Sequence, residues 1–211
     1  MFSVKCLVMY NLAMKLNAQQ LRELEEEKIR GELRKVKRNP IYFILENIYD
    51  TYNIGGLFRL ADALAVEKMY ICGQTEIPPN SRIKKASIGT YKVVPWEYKN
   101  TVKDAILSLR SAGRLRSNPN KIVSSPPALH NDMRIIAVEQ HRKAIPYKEA
   151  EYHLPLALIF GNETSGILPE TLELVDQIVE IPMFGINKSL NVIVSAAIVS
   201  YRAIELLNTQ Y

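Results

Sequence analysis

Short apolar runs alternate with helical patterns along most of this 211-residue chain. Residues 41–46, 68–72, 135–139, 156–160 and 178–181 are β-rich and apolar almost throughout, which is the pattern of strands covered on both faces. A weaker run at 91–94 reads the same way. Between them, residues 54–65, 102–109, 171–175 and 190–207 place apolar positions at helical spacing. Strand and helix in alternation predict an α/β domain on a mainly parallel sheet with helices on both faces.

Two stretches break this rhythm. Residues 18–38 predict a charged helix with Leu21, Leu24, Ile29, Leu33 and Val36 on a broad apolar side. Gly31 weakens it by up to about 1 kcal/mol relative to Ala, and it ends in the basic run Arg34-Lys35-Val36-Lys37-Arg38. With the residues before it, this makes an N-terminal extension, 1–39, ahead of a domain at 40–211. The helix reads either as a solvated face packed on the core or as an arm that contacts phosphate. The second stretch, 111–133, is a basic insertion with Arg114, Arg116 and Lys121 against a single acid, Asp132. A loop of that length is functional or flexible; RNA contact is the functional reading, and both stay open.

Composition narrows the class. A chain that is 47% hydrophobic and 23% charged belongs with folded globular proteins. Its net charge of +5 is compatible with nucleic acid without demanding it. Cys6 and Cys72 form no CxxC pair and read as reduced thiols, which places the protein in the cytoplasm. His130, His141 and His153 lack metal-ligand spacing, so no metal is expected. The uncharged run 189–201 is too short for a bilayer, which takes about 20 apolar residues, so no membrane partner is expected. Residues 1–13 are mildly apolar, broken by Tyr10 and Asn11, and lack a cleavage site of signal-peptide type. Met14 opens a plausible helix, so they are expected to be an upstream extension. The Asn-x-Ser/Thr triplets at Asn162 and Asn187 would matter only in a secreted protein.

In open α/β sheets, ligands sit beyond the carboxyl ends of strands, and three unusual loops fall at such places. In Asp50-Thr51-Tyr52-Asn53-Ile54-Gly55-Gly56-Leu57-Phe58-Arg59, Asn53 suits a helix N-cap. Gly55 and Gly56 would leave the first turn bare, and Arg59 would lean back over them toward the helix mouth. An arginine there suits a phosphate or a ribose hydroxyl. Phe160-Gly161-Asn162-Glu163-Thr164-Ser165-Gly166 has Gly-x4-Gly spacing, but Ile167-Leu168 stand where a phosphate loop needs Lys-Ser/Thr. It is not a dinucleotide fingerprint either, and Glu163 favours a neutral or cationic ligand. The third loop, Ile181-Pro182-Met183 through Gly185, brings Ser189 and Asn191 to the mouth of an apolar helix.

In this order and spacing the three clusters resemble the TrmH-like branch of the SPOUT RNA methyltransferases, over roughly residues 40–208. The resemblance implies a deep C-terminal trefoil knot, an exception to the rule that chains do not thread loops. It implies S-adenosyl-L-methionine as cofactor, held in a bent form, with Gly161, Ile181, Met183 and Leu190 lining its site. It further implies a homodimer through the knot region, in which Arg59 of one subunit completes the other's active site. The implied reaction is methyl transfer to a ribose 2′-hydroxyl of tRNA or rRNA. Because arginine stays protonated in proteins, polarising that hydroxyl and neutralising a phosphate is the role expected of Arg59. Asn53, Glu163, Ser189 and Asn191 would orient Arg59 and the ribose. Thr164-Ser165 depart from relatives that carry a glycine there. With no separate RNA-binding domain before the knot, recognition would fall to the N-terminal arm, the insertion, the dimer surface or another protein. The competing expectation is an RNA-binding or ribosome-assembly factor that keeps the fold without catalysis.

Overall fold

The structure, a computed structural model, describes residues 15–23, 37–116 and 133–208. Its strands are β1 (Asn39–Glu46), β2 (Val66–Cys72), β3 (Trp96–Lys99), β4 (Arg134–Val138), β5 (Ile145–Pro146), β6 (Leu156–Phe160) and β7 (Gln177–Glu180). They form one sheet in the order β3-β2-β1-β6-β4-β7-β5. Every neighbouring pair is parallel. The helices are α1 (Ala18–Glu23), α2 (Thr51–Ala63), α3 (Ser81–Ser87), α4 (Val102–Arg116), α5 (Pro169–Leu172) and α6 (Val192–Asn208).

Alternation along the strands sorts the core into two layers. Ile41, Phe43 and Leu45 of β1 share one face with Leu156, Leu158 and Phe160 of β6, and α2, α3 and α6 pack over them. Phe43 and Phe160 meet edge to face at 5.2 Å, the favoured arrangement of two aromatic quadrupoles. Tyr42, Ile44, Ala157 and Ile159 point the other way, onto Ala105, Ile106 and Leu109 of α4. Burial on both faces explains why these strands read as continuous apolar runs.

Four expectations shift. Residues 91–94 are not a strand: Thr90–Lys92 is a 3-10 turn, and Tyr91 and Val94, three apart, are buried together under α2. The strand lies just beyond, at β3. The short α3 escapes periodicity because only Ile83 and Ser87 are buried along it. Helix α4 continues to Arg116, so the insertion starts later than residue 111, and residues 117–132 lie outside the described residues. The predicted N-terminal helix is described only as α1. Residues 24–36 lie outside the described residues, and by residue 37 the chain is no longer helical. Arg38, the last cation of that basic run, donates to the carbonyls of Val66 (3.0 Å) and Val93 (2.6 Å). It therefore ties down the amino end of the sheet and does not serve as a free phosphate contact. Among the described residues, no helix is long and apolar enough to cross a membrane.

Candidate active site

Three neighbouring strands, β6, β4 and β7, end on the same edge, and the segments leaving them enclose a cavity of about 310 Å³. That is near the lower end of small-ligand pockets, roughly 300–1,000 Å³.

The loop after β6 closes on itself. Asn162 and Gly166 exchange backbone hydrogen bonds at 3.1 and 3.0 Å, while the Asn162 side-chain oxygen accepts from the N–H groups of Thr164 and Ser165. Its amide nitrogen donates to the carbonyl of Asn47 at 2.7 Å, anchoring the loop to the segment after β1. Gly166 sits at φ +71°, and a Cβ there would come within 2.4 Å of Glu139 Oε2. That carboxylate oxygen instead accepts the N–H of Ile167 at 2.9 Å. Farther along, the buried Glu46 at the end of β1 accepts from the N–H of Leu168 and the hydroxyl of Thr171. Burial raises the pKa of Glu46, and those two hydrogen bonds partly offset it. The loop is thus held by side chains that ordinary spacing rules did not single out.

Held this way, Glu163 is presented to the cavity. Asn53 Nδ2 donates to Glu163 Oε1 at 2.8 Å, and Asn191 Nδ2 donates to Asn53 Oδ1 at 2.9 Å. Asn191 Oδ1 in turn accepts the N–H of Ile193 at 2.8 Å, which caps α6. One side chain from each of the three sequence clusters is therefore joined in a single chain. Its direction is fixed, because a carboxylate only accepts and must face the nitrogen of Asn53.

The role expected of Asn53 is corrected in one respect. Asp50 is the N-cap of α2, its side chain accepting from the N–H of Tyr52. Asn53 lies in the first turn and is buried. The glycine pair is also not an open turn. A Cβ on Gly55 would lie 2.5 Å from Cβ of Ala86 in α3, and one on Gly56 would lie 2.3 Å from Cδ1 of Ile193 in α6. Their function is close helix packing, which sets α2 between its neighbours.

Of the residues expected at the site, Gly161, Ile181, Met183, Leu190, Glu163 and Ser189 all line this one cavity. Asn53 and Asn191 reach it through the hydrogen-bond chain. Arg59 does not: it is exposed on α2 and is not among the lining residues. Two acids went unforeseen, Glu139 after β4 and Glu180 at the end of β7. The rule that pointed to the other loops, polar residues just beyond the carboxyl end of a buried strand, also covers both. With Glu163 they make, among the described residues, three carboxylates against one lining cation, Lys188, over an apolar floor that includes Val138, Phe160 and Val192. Such a cavity suits a ligand with cationic groups and a flat apolar part. Among the described residues, no group of His, Cys, Asp or Glu could hold a metal ion.

A model of the SpoU rRNA Methylase family matches residues 40–118 and 117–201. The chain belongs to that family. Among curated relatives of this SpoU-family chain is the tRNA (guanosine(18)-2′-O)-methyltransferase of Escherichia coli K12. It is 28% identical over 171 residues, spanning 79% of this chain and 64% of that protein. A 23S rRNA (guanosine-2′-O-)-methyltransferase of Neisseria meningitidis serogroup B is 29% identical, over 79% of this chain and 59% of that protein. The chain thus spans under two thirds of the length of these two relatives. The solved A. aeolicus TrmH/SpoU tRNA modifying enzyme superimposes with a TM-score of 0.67 at 25% identity, covering 89% of this chain and 86% of that one. An AdoMet-bound rRNA methyltransferase from Sinorhizobium meliloti shares the fold, with a TM-score of 0.67 at 24% identity over 83% of this chain and 60% of that one.

Proposed function

We propose that this protein transfers a methyl group from S-adenosyl-L-methionine to a ribose 2′-hydroxyl of tRNA or rRNA. The observation that carries this reading is the Glu163–Asn53–Asn191 chain at the edge of the acidic cavity. It brings the three clusters of the TrmH-like pattern to one place.

The residues present fit the cofactor. The carboxylates of Glu139, Glu163 and Glu180 would balance its sulfonium and amino charges, and Ile181, Met183 and Leu190 would offer apolar contact to its adenine. When bound, it supplies an electrophilic methyl group. The chain's own task is then to place and polarise a ribose hydroxyl at the cavity mouth. Asn53 and Asn191 hold the Glu163 carboxylate in one direction, and Ser189 adds a hydroxyl to the lining of the same cavity. Aligning two reactants in this way can supply about 7–11 kcal/mol of the barrier in favourable cases.

Among the described residues no arginine lines the cavity, while Arg59 stands exposed on α2. Phe184, Ile186, Val194 and Tyr201, on the 181–191 loop and α6, are exposed apolar residues, and α6 packs directly on α2. A homodimer through this region would cover that apolar surface and bring the partner's Arg59 to the cavity. The C-terminal trefoil knot and a cytoplasmic location belong to the same reading. The strand order, with β6 and β7 inserted on either side of β4, supports the knot.

The test is to incubate the protein with methyl-labelled S-adenosylmethionine and total RNA from a strain lacking it. Label in RNA is expected. No label, together with undetectable cofactor binding by calorimetry, contradicts the proposal and favours a silent RNA-binding factor. In the Arg59→Ala variant, transfer is expected to be nearly abolished while cofactor affinity stays within a few-fold. Normal turnover by that variant would remove Arg59 from the reaction.

A further inference from the structure

The donor cavity uses only part of the sheet's carboxyl edge. Beyond the ends of β1 and β2 lies a second cleft of about 290 Å³, walled by Tyr49, Tyr52, Glu76, Asn80 and Arg82. Tyr49 and Tyr52 are 55% and 53% exposed, so much of each ring is open to a partner. The Tyr49 hydroxyl donates to Gln74 Oε1 at 3.0 Å, which holds its ring in place. One hydrogen bond links the linings of the two hollows. The backbone N–H of Tyr49 reaches Glu163 Oε2 at 3.4 Å, and Glu163 lines the donor cavity. Tyr52 immediately precedes Asn53, which holds the other oxygen of the same carboxylate.

We propose that this cleft receives the unpaired base of the nucleotide whose ribose is methylated. This rests on the RNA methyltransferase reading above and adds to it how the target nucleotide is held. Tyr49 and Tyr52 flank the groups that hold Glu163, so a ribose placed at Glu163 has both tyrosines within reach of its base. Sequence-specific RNA recognition takes bases out of their stack, lays them on aromatic rings and reads their edges by hydrogen bonds. Both kinds of group are present. Asp50 is occupied as the α2 cap, which leaves the exposed Glu76 as an acceptor for a base-edge donor. The Asn80 oxygen accepts from the N–H groups of Arg82 and Ile83, so its amide N–H groups remain to donate. Arg82, Lys84 and Lys85 are exposed along α3 and give the flanking phosphates cations to pair with.

The experiment uses the full-length protein and, as probe, total RNA from a strain lacking it. After irradiation at a wavelength absorbed by bases, mass spectrometry is expected to find nucleotide adducts on Tyr49 or Tyr52. In steady-state transfer assays, Tyr52→Leu is expected to raise KM for RNA by ~5- to 100-fold, the scale of losing one base stack. Its affinity for S-adenosylmethionine should be unchanged, and Tyr52→Phe, which keeps the ring, should stay near wild type. Adducts confined to other segments, or a Tyr52→Leu KM equal to wild type, overturn the proposal. Tyrosine adducts on a wild-type protein that transfers no methyl would uphold the cleft and sink the methyltransferase reading. Normal transfer with an unmoved KM would do the reverse.

Discussion

Asn53 presents one nitrogen and one oxygen, and the fold uses each toward a different loop. Removing that side chain with Asn53→Ala frees Glu163 and Asn191, both exposed enough to turn to water. Stability should therefore move by no more than about 1 kcal/mol. The rate constant kcat should fall by about 100-fold, the cost of a misplacement of ~1 Å. Asn53→Asp, which sets a carboxylate against Glu163, should be worse. Thermal melts and single-turnover rates measured together separate these effects, and a normal rate in either variant would detach the chain from the reaction. At this scale much of the site was legible in the sequence. Glu163, Ser189 and Asn191 stand out because polar and glycine residues interrupt apolar runs in the loops that follow strands, whereas Leu190 was placed by the family resemblance alone. Asn162 and Glu46 were not legible as supports. Their partners lie over 100 residues away in sequence, at Asn47, Leu168 and Thr171, and no local pattern encodes such pairs.

Among the elements, α2 is the one whose placement decides the site. The glycine pair looked from the sequence like an open helix mouth; in the fold, both glycines are packing contacts, each facing a different helix. Gly→Ala inside a helix ordinarily gains up to about 1 kcal/mol, so the sign of each change depends on what the methyl meets. At Gly55 it meets Cβ of Ala86 and the backbone of Ser87, atoms that cannot turn aside. Gly55→Ala should destabilise by about 1–3 kcal/mol, the cost of overpacking. At Gly56 it meets the end of the Ile193 side chain, which can rotate, so Gly56→Ala should be close to neutral. Denaturation midpoints order the two, and a Gly56→Ala protein weaker than Gly55→Ala would contradict this packing. Strands β1, β2, β4, β6 and β7 were readable because burial on both faces makes them largely apolar. The shorter elements, α3, β3 and β5, were missed or misplaced, since a few buried positions each give no period to detect.

On the scale of the whole molecule, one parallel sheet carries two hollows along a single edge. The acidic one lies beyond β6, β4 and β7, and the tyrosine-walled one beyond β1 and β2. The sequence conveyed the layered α/β plan through alternation alone. Strand order was not legible that way, because β6 and β7 insert beside strands that precede them by long intervals. The chain belongs to the SpoU family, and the chemistry proposed for this edge is methyl transfer to a ribose oxygen. The most direct measurement digests RNA labelled by the protein from methyl-labelled S-adenosylmethionine and identifies the modified nucleoside. The expected result is label in a 2′-O-methylated nucleoside, recovered from alkali as an uncleaved dinucleotide because the blocked hydroxyl can no longer attack its phosphate. Label on a base, or no label in any RNA, would contradict the account.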